Sequence, residues 1–213
     1  MTATEHPTEA PTRPRVEGER VQEIFEAALT VLADVGYDRL TMDAVATTAK
    51  ASKATLYRRW NDKAHLVVDA LVHHKGPEAV DPDTGSLRAD LLQIYCGSAG
   101  PLAPRQIDFF ASVLTALHRD PEFGETFRRT FLAPKVAVVR AVFERARERG
   151  EIRDDVDIDL VAPAVPGIVM HRSFILGELP TRDLVERVLD KIVLPDVTVR
   201  TDPSTTTSRG TTP

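Results

Sequence analysis

Between Lys50 and Lys63 the chain sets Lys50, Lys53, Arg58, Arg59 and Lys63 against one acid, Asp62. Ser52, Thr55 and Tyr57 place hydroxyls among them. Cations interleaved with hydroxyls suit a phosphate backbone, where the cations displace counterions and the hydroxyls donate to phosphate oxygens. The whole chain is acidic, with a formal net charge of −5 over 213 residues and a pI near 5.7. That total argues against a nucleic-acid partner. Its distribution argues the other way, because the excess acid sits elsewhere, as in Glu148, Glu151, Asp154, Asp155, Asp157 and Asp159. A basic patch on an acidic body predicts a protein that touches DNA with one end.

Other chemistry is poorly supplied. Cys96 is the only cysteine, so an internal disulfide is impossible and a Cys-based zinc site lacks its other thiolates. His73 and His74 are adjacent and point to different sides of a helix, whereas a metal-binding pair wants i, i+4 spacing. His118 and His171 have no nearby carboxylate motif. The chain holds no G-x-S-x-G, Walker loop or G-x-G-x-x-G. Asp154-Asp155 reads as a solvated turn. These features predict no enzyme, no metal and no cofactor. No apolar run approaches the roughly 20 residues that span a bilayer, and MTATEHPTEAPTRPR carries no apolar signal core. The expectation is a cytoplasmic protein without membrane contact.

The elements that must hold the basic cluster are helical. Val21, Ile24, Phe25, Ala28, Val31, Leu32 and Val35 recur at helical spacing, and Gly36 ends that run. Thr41 caps a short second helix to about Ala49, with Asp43 in its first turn. Ser52 caps a third, to about Arg59. Trp60-Asn61 breaks the chain, and Asp62 caps a fourth helix to about His74. Two short helices joined by Lys50-Ala51 are the mark of a helix-turn-helix. No stretch alternates like a strand, so the expected class is all-α.

Residues 1–15 and 196–213 read as disordered tails, with Arg13 and Arg15 as a candidate weak arm to a DNA groove. Residues 16–75 form the expected DNA-binding domain, 76–85 a Pro/Gly/Asp linker, and 86–195 a larger helical domain. Its expected helices are Ser86 to Gly97, Arg105 to His118, Pro121 to Arg149, Asp157 to Leu176 and Thr181 to Leu194. Pro163 and Pro166 should kink or shorten the fourth of these.

The stretch 36–63, GYDRLTMDAVATTAKASKATLYRRWNDK, resembles the DNA-binding domain of the TetR/AcrR repressors. Gly36, Leu40-Thr41, Val45-Ala46, Ala49, Ser52, Thr55-Leu56-Tyr57, Trp60 and Lys63 keep the family's order and spacing, within a match running from Arg20 to beyond Leu66. The resemblance implies that the third helix enters the major groove. It implies phosphate contacts for Thr41 and Ser52, base reading by Lys53, Ala54 and Thr55, and phosphate clamping by Tyr57, Arg58 and Lys63. Arg59 is as well suited to face inward or pair with an acid as to touch DNA, and Trp60 is better suited to packing under the turn. One departure stands out: the family has glycine where this chain has Lys50. A left-handed backbone there costs a β-carbon about 1–2 kcal/mol, and the gain is a cation beside the phosphates.

The resemblance further implies a homodimer on a palindromic operator, with Asp157–Leu176 and Thr181–Leu194 packing against their twins. PGIVMHRSFILGELP also resembles a C-terminal subclass of these regulators. A small hydrophobic or amphipathic effector is expected in the rear domain, with Tyr95, Phe109, Phe110, Leu114, His118, Met170, His171 and Phe174 as candidate lining residues. The leading expectation is a repressor that its effector releases from DNA. The alternatives are a DNA-binding regulator without a small ligand, controlled by a partner protein or by abundance, and a helical enzyme.

Overall fold

The computed structural model describes residues 17–74, 81–97 and 104–199, and all described secondary structure is helical apart from one isolated bridge. The expected arm of Arg13 and Arg15 lies outside these residues. The elements are α1 (Glu17–Arg39), α2 (Met42–Thr48), α3 (Lys53–Arg59), α4 (Lys63–His74), α5 (Leu87–Cys96), α6 (Pro104–Arg119), α7 (Pro121–Phe127), α8 (Ala133–Glu148), α9 (Ile158–Val161), α10 (Ala164–Ile175), α11 (Arg182–Val188) and α12 (Leu194–Val197). Two π-helical segments, Arg128–Leu132 and Leu189–Val193, join α7 to α8 and α11 to α12.

Local chemistry sets the ends. Gly36, at φ 76° and ψ 165°, breaks α1 and leaves one further turn to Arg39. Thr41 caps α2 by accepting from the Ala44 N–H at 3.1 Å, and Ser52 caps α3 by accepting from the Thr55 N–H at 3.1 Å. Each hydroxyl satisfies an N–H that the first helical turn leaves without a partner. Asp62 does the same for α4, accepting from the His65 N–H at 2.9 Å.

Two apolar cores form, and they do not divide where the chain does. The front core gathers Ile24, Leu32, Leu40, Val45, Leu56, Trp60, Leu66 and Leu71 from α1–α4 and the turns between them. It also takes Val113 and Ala116 of α6, Phe123 and Phe127 of α7, and Phe131. A domain of about 60 residues buries too little surface to be robust alone, and α6, α7 and Phe131, from beyond the linker, complete this one. The rear core is built by α5, α8 and the C-terminal helices around Leu91, Val142, Phe143, Ile152, Leu184 and Leu189.

Two expected spans change. Asp157–Leu176 divides at 162–163 into α9 and α10, with Pro163 at the break and Pro166 in the first turn of α10, where no intrahelical N–H is lost. The final helical run does not stop at Leu194. Pro195 sits in the first turn of α12, so the chain continues helical to Val197. The Arg153 N–H then donates to the Val197 carbonyl at 2.9 Å, and the Val199 N–H to the Glu151 carbonyl at 3.2 Å.

Ile158–Ile175 is long and apolar enough, by length and composition alone, to pass as a membrane span, which the expectation of no such run did not foresee. The break at 162–163 interrupts it, and only 17% of it is buried within the single chain.

Candidate nucleic-acid interface

The third helix is mounted from beneath. Leu56 is fully buried under α3, and Trp60 closes its end. The Trp60 indole packs edge-on against Phe25, with ring centroids 5.6 Å apart, and its N–H donates to Asp69 at 2.9 Å. Trp60 is thus a packing residue, as its position under the turn suggests. Val45, Ala46 and Ala49 bury the inner side of α2. Small and aliphatic residues there let the two short helices approach α1 closely.

The turn between α2 and α3 is left-handed at Lys50, φ 51°, the one non-glycine positive φ among the described residues. Arg20 of α1 holds it, donating to the Lys50 carbonyl at 2.6 Å and to the Ala49 carbonyl at 3.1 Å. Glu23 sits 2.6 Å from the same guanidinium. In the sequence reading, Arg20 has no site role. Its only signal was a cation one element upstream of a turn that needed its carbonyls satisfied.

The outward side carries the expected residues. Thr41, Lys50, Ser52, Lys53, Ala54, Tyr57 and Arg58 are exposed, and Thr55 is half-buried. The Tyr57 side chain, at 53% exposure, projects a phenol from a well-anchored helix. The Thr55 and Ser52 hydroxyls lie 2.8 Å apart. Arg59 places its guanidinium 5.5 Å from the Trp60 ring centroid. Lys53 is already engaged: its ammonium lies 2.5 Å from the Asp43 carboxylate, tying the start of α3 to the start of α2. In sequence, Asp43 shows only as an acid suited to the helix dipole. Lys63 is turned inward, donating to the Tyr37 carbonyl at 3.0 Å and standing 4.3 Å over the Tyr37 ring. A residue expected as a phosphate clamp thus closes the end of α1.

Tyr37 ties the end of α1 to the start of α7. Its hydroxyl donates to Asp120 at 3.3 Å, and its ring lies 4.3 Å from that of Phe123. Asp120 caps α7 through the Phe123 N–H at 3.0 Å. Burial, and then the Asp120 charge, push the Tyr37 phenol up from its ordinary value, so it stays a donor.

Two of the candidate effector residues, Phe110 and Tyr95, belong to different cores. Phe110 packs on the front core, 6.3 Å from Phe131. Tyr95 packs on the rear core and donates to the Ala162 carbonyl at 3.3 Å. Burial raises its phenol pKa. Leu114 and Phe174 are half-buried, while His118, Met170 and His171 are exposed. The Phe109 side chain lies outside the described residues. Two surface depressions of about 340 and 350 Å³ are lined by Val35–Arg39 with Ser112, Thr115 and Ala116, and by α1 residues with Thr48–Lys50. Among the described side chains, none of the candidates lines either. Periodicity marks an apolar side of a helix but does not say whether a neighbour fills it.

Comparison with known proteins agrees with this geometry. Residues 24–70 match the family described as bacterial regulatory proteins, tetR family, and residues 81–192 match the tetracyclin repressor-like C-terminal domain. The chain is 38% identical over 192 residues to the HTH-type transcriptional regulator Rv1556 of Mycobacterium tuberculosis, covering 88% of this chain and 93% of that one. It is 34% identical over 175 residues to the DNA-binding transcriptional repressor TetR of Mycobacteroides abscessus, covering 80% and 90%. Among solved structures, the TetR family transcription regulator SCO0332 superimposes with a TM-score of 0.62 at 27% identity, covering 82% of this chain and 97% of that one. The capped, left-handed turn, the exposed third helix and the tyrosine-anchored rear domain are therefore those of a DNA-binding transcriptional regulator, and the chain belongs to the TetR family.

Proposed function

We propose that the protein is a homodimeric repressor that binds a palindromic operator through α3 of each copy and leaves it when a small hydrophobic or amphipathic effector enters the rear domain. The observation that carries the DNA half is the exposed surface of Lys53, Ala54, Tyr57 and Arg58 on a helix locked by Leu56 and Trp60. Thr41, Lys50, Ser52 and Thr55 complete the contact surface, and Lys63 supports it from behind. Residues 16–75 act as the reading unit and the helices after the linker as the dimerisation unit.

Dimerisation is supported by what the single chain leaves uncovered. Leu160, Met170, Ile175, Leu176, Leu179 and Ile192 are exposed on or beside α9, α10 and the last helical run. Large apolar surfaces of this kind mark interfaces, and a twofold dimer reads a palindrome. The repressor sign rests on the name of the Mycobacteroides abscessus relative. An operator target places the protein in the bacterial cytoplasm and requires no enzymatic step. Release would run through Tyr37, Asp120 and Phe123, because a shift of α7 bears directly on the end of α1.

A second reading is favoured by the placement of two candidate effector residues, Phe110 and Tyr95, on different cores. In it the rear domain binds no small molecule, and a partner protein or abundance sets DNA occupancy.

DNase footprinting on the DNA flanking its own gene tests the first reading, with wild type and Tyr57→Ala, in the presence and absence of hydrophobic small molecules. The expected result is a symmetric footprint, weakened uniformly by Tyr57→Ala with a shallower salt dependence, and erased by at least one compound. Ligand and DNA then oppose each other by equal factors. A symmetric footprint that no compound weakens selects the second reading. An unchanged footprint for Tyr57→Ala overturns that residue's assignment.

A further inference from the structure

The tightest polar contact on the exposed ends of α2 and α3 joins opposite charges. Lys53 Nζ and Asp43 Oδ2 are 2.5 Å apart, with side chains 64% and 55% exposed. A carboxylate here faces a partner that is densely negative, which disfavours binding unless something on that partner needs an acceptor. The phosphates offer acceptors only. In the major groove, the donors are the exocyclic amines of cytosine and adenine.

We propose that Asp43 and Lys53 act as one base-reading pair for a G·C base pair in each half-site, the ammonium donating to guanine O6 and N7 while the carboxylate accepts from cytosine N4. The inference rests on the reading of α3 as the recognition helix. The ammonium has three donors and Asp43 occupies one, so the others remain for guanine. The carboxylate keeps acceptor sites on both oxygens. On a G·C pair, O6 and N4 lie a hydrogen bond apart, about 2.9 Å, close to the separation of Nζ and Oδ2. Nζ, O6, N4 and Oδ2 then close a ring in which donors and acceptors alternate.

An A·T pair also offers an acceptor, O4, beside a donor, N6, so the flanking groups decide. Beside guanine O6 stands N7, a second acceptor for the ammonium, and beside cytosine N4 stands no competing acceptor. On A·T the ammonium at O4 meets the thymine methyl, and the carboxylate at N6 meets the adenine N7 lone pair. Both ends of the charged pair are matched by G·C and mismatched by A·T. The fold has little need of the contact, because exposed ion pairs contribute little to stability.

The test is repeated selection from a duplex pool with a randomised 20-base-pair core, using full-length protein, followed by sequencing. Wild type is expected to enrich a palindrome with G·C fixed at one position of each half-site. Asp43→Asn should lose about tenfold preference at that position and keep the others. Lys53→Gln should lose the same position, and the double variant should lose no more than the worse single one. Thermal melting of each variant checks that the fold is kept. An Asp43→Asn protein that selects the wild-type motif with equal preference throughout overturns the pair, as does a loss spread evenly over all positions. If Thr55→Ala and Tyr57→Ala also leave selection and affinity unchanged, the reading of α3 falls with it. If they alter binding while Asp43→Asn does not, the pair alone falls.

Discussion

The Arg20 guanidinium donates to the Lys50 carbonyl at 2.6 Å, so the first helix holds the one left-handed non-glycine residue among the described positions. A β-carbon in that region costs about 1–2 kcal/mol, and Arg20 supplies a charge-assisted bond that offsets part of it. Lys50→Gly should raise stability by about 1 kcal/mol in urea melts. It should also weaken DNA binding slightly and flatten its salt dependence, because a cation beside the phosphates is gone. Unchanged DNA affinity would leave Lys50 with no role beyond its strain. Arg20→Ala should destabilise by about 1 kcal/mol, and less in a Lys50→Gly background, where the turn needs less support.

Tyr37 and Asp120 separate two contributions to the joint between the domains. Tyr37→Phe removes only the 3.3 Å bond and should cost roughly 0.5–1 kcal/mol. Asp120→Ala also removes the cap on the Phe123 N–H and should cost about 1–2 kcal/mol. Thermal or urea melts of the two variants check the order. Equal costs would mean that the cap contributes nothing.

The Asp62 cap has a pH signature. Partial burial raises its carboxyl, but hydrogen bonds from the His65 backbone and ring outweigh that and hold it below the usual carboxylate range. A depressed folded-state value gives stability that is present above the unfolded value and lost as pH falls through the folded one. Asp62→Ala should therefore cost about 1 kcal/mol at pH 7. The gap to wild type should narrow below roughly pH 4, as urea melts at pH 7 and pH 3 would show. A gap that stays constant would assign the cost to packing.

Ile175 is 72% exposed near the C-terminal end of α10. A charge there has little to disturb inside one subunit and much to disturb in a covered interface. Ile175→Glu should leave the circular dichroism spectrum unchanged and shift sedimentation from dimer to monomer, with loss of operator binding. A dimer that persists would move the interface elsewhere.

Much of the reading head was legible in sequence because its determinants are local. Thr41, Ser52 and Asp62 announce helix starts by side-chain chemistry acting over three residues, and each caps as expected. Gly36 announces a break, and Lys50 in a glycine's place announces the left-handed turn. The helical class follows from apolar spacing of the same short range. What only the tertiary structure decided are relations between residues far apart in the chain. Arg20 with Lys50, Asp43 with Lys53, Lys63 with the Tyr37 carbonyl, and Tyr37 with Asp120 each join a helix to a different helix, turn or cap. Helical periodicity could mark Phe110 and Tyr95 as inward-facing, but not that they belong to two different cores. A side chain's range of local influence is a few residues, whereas its partner across a core is set by how whole helices pack, and that information is spread over the entire chain.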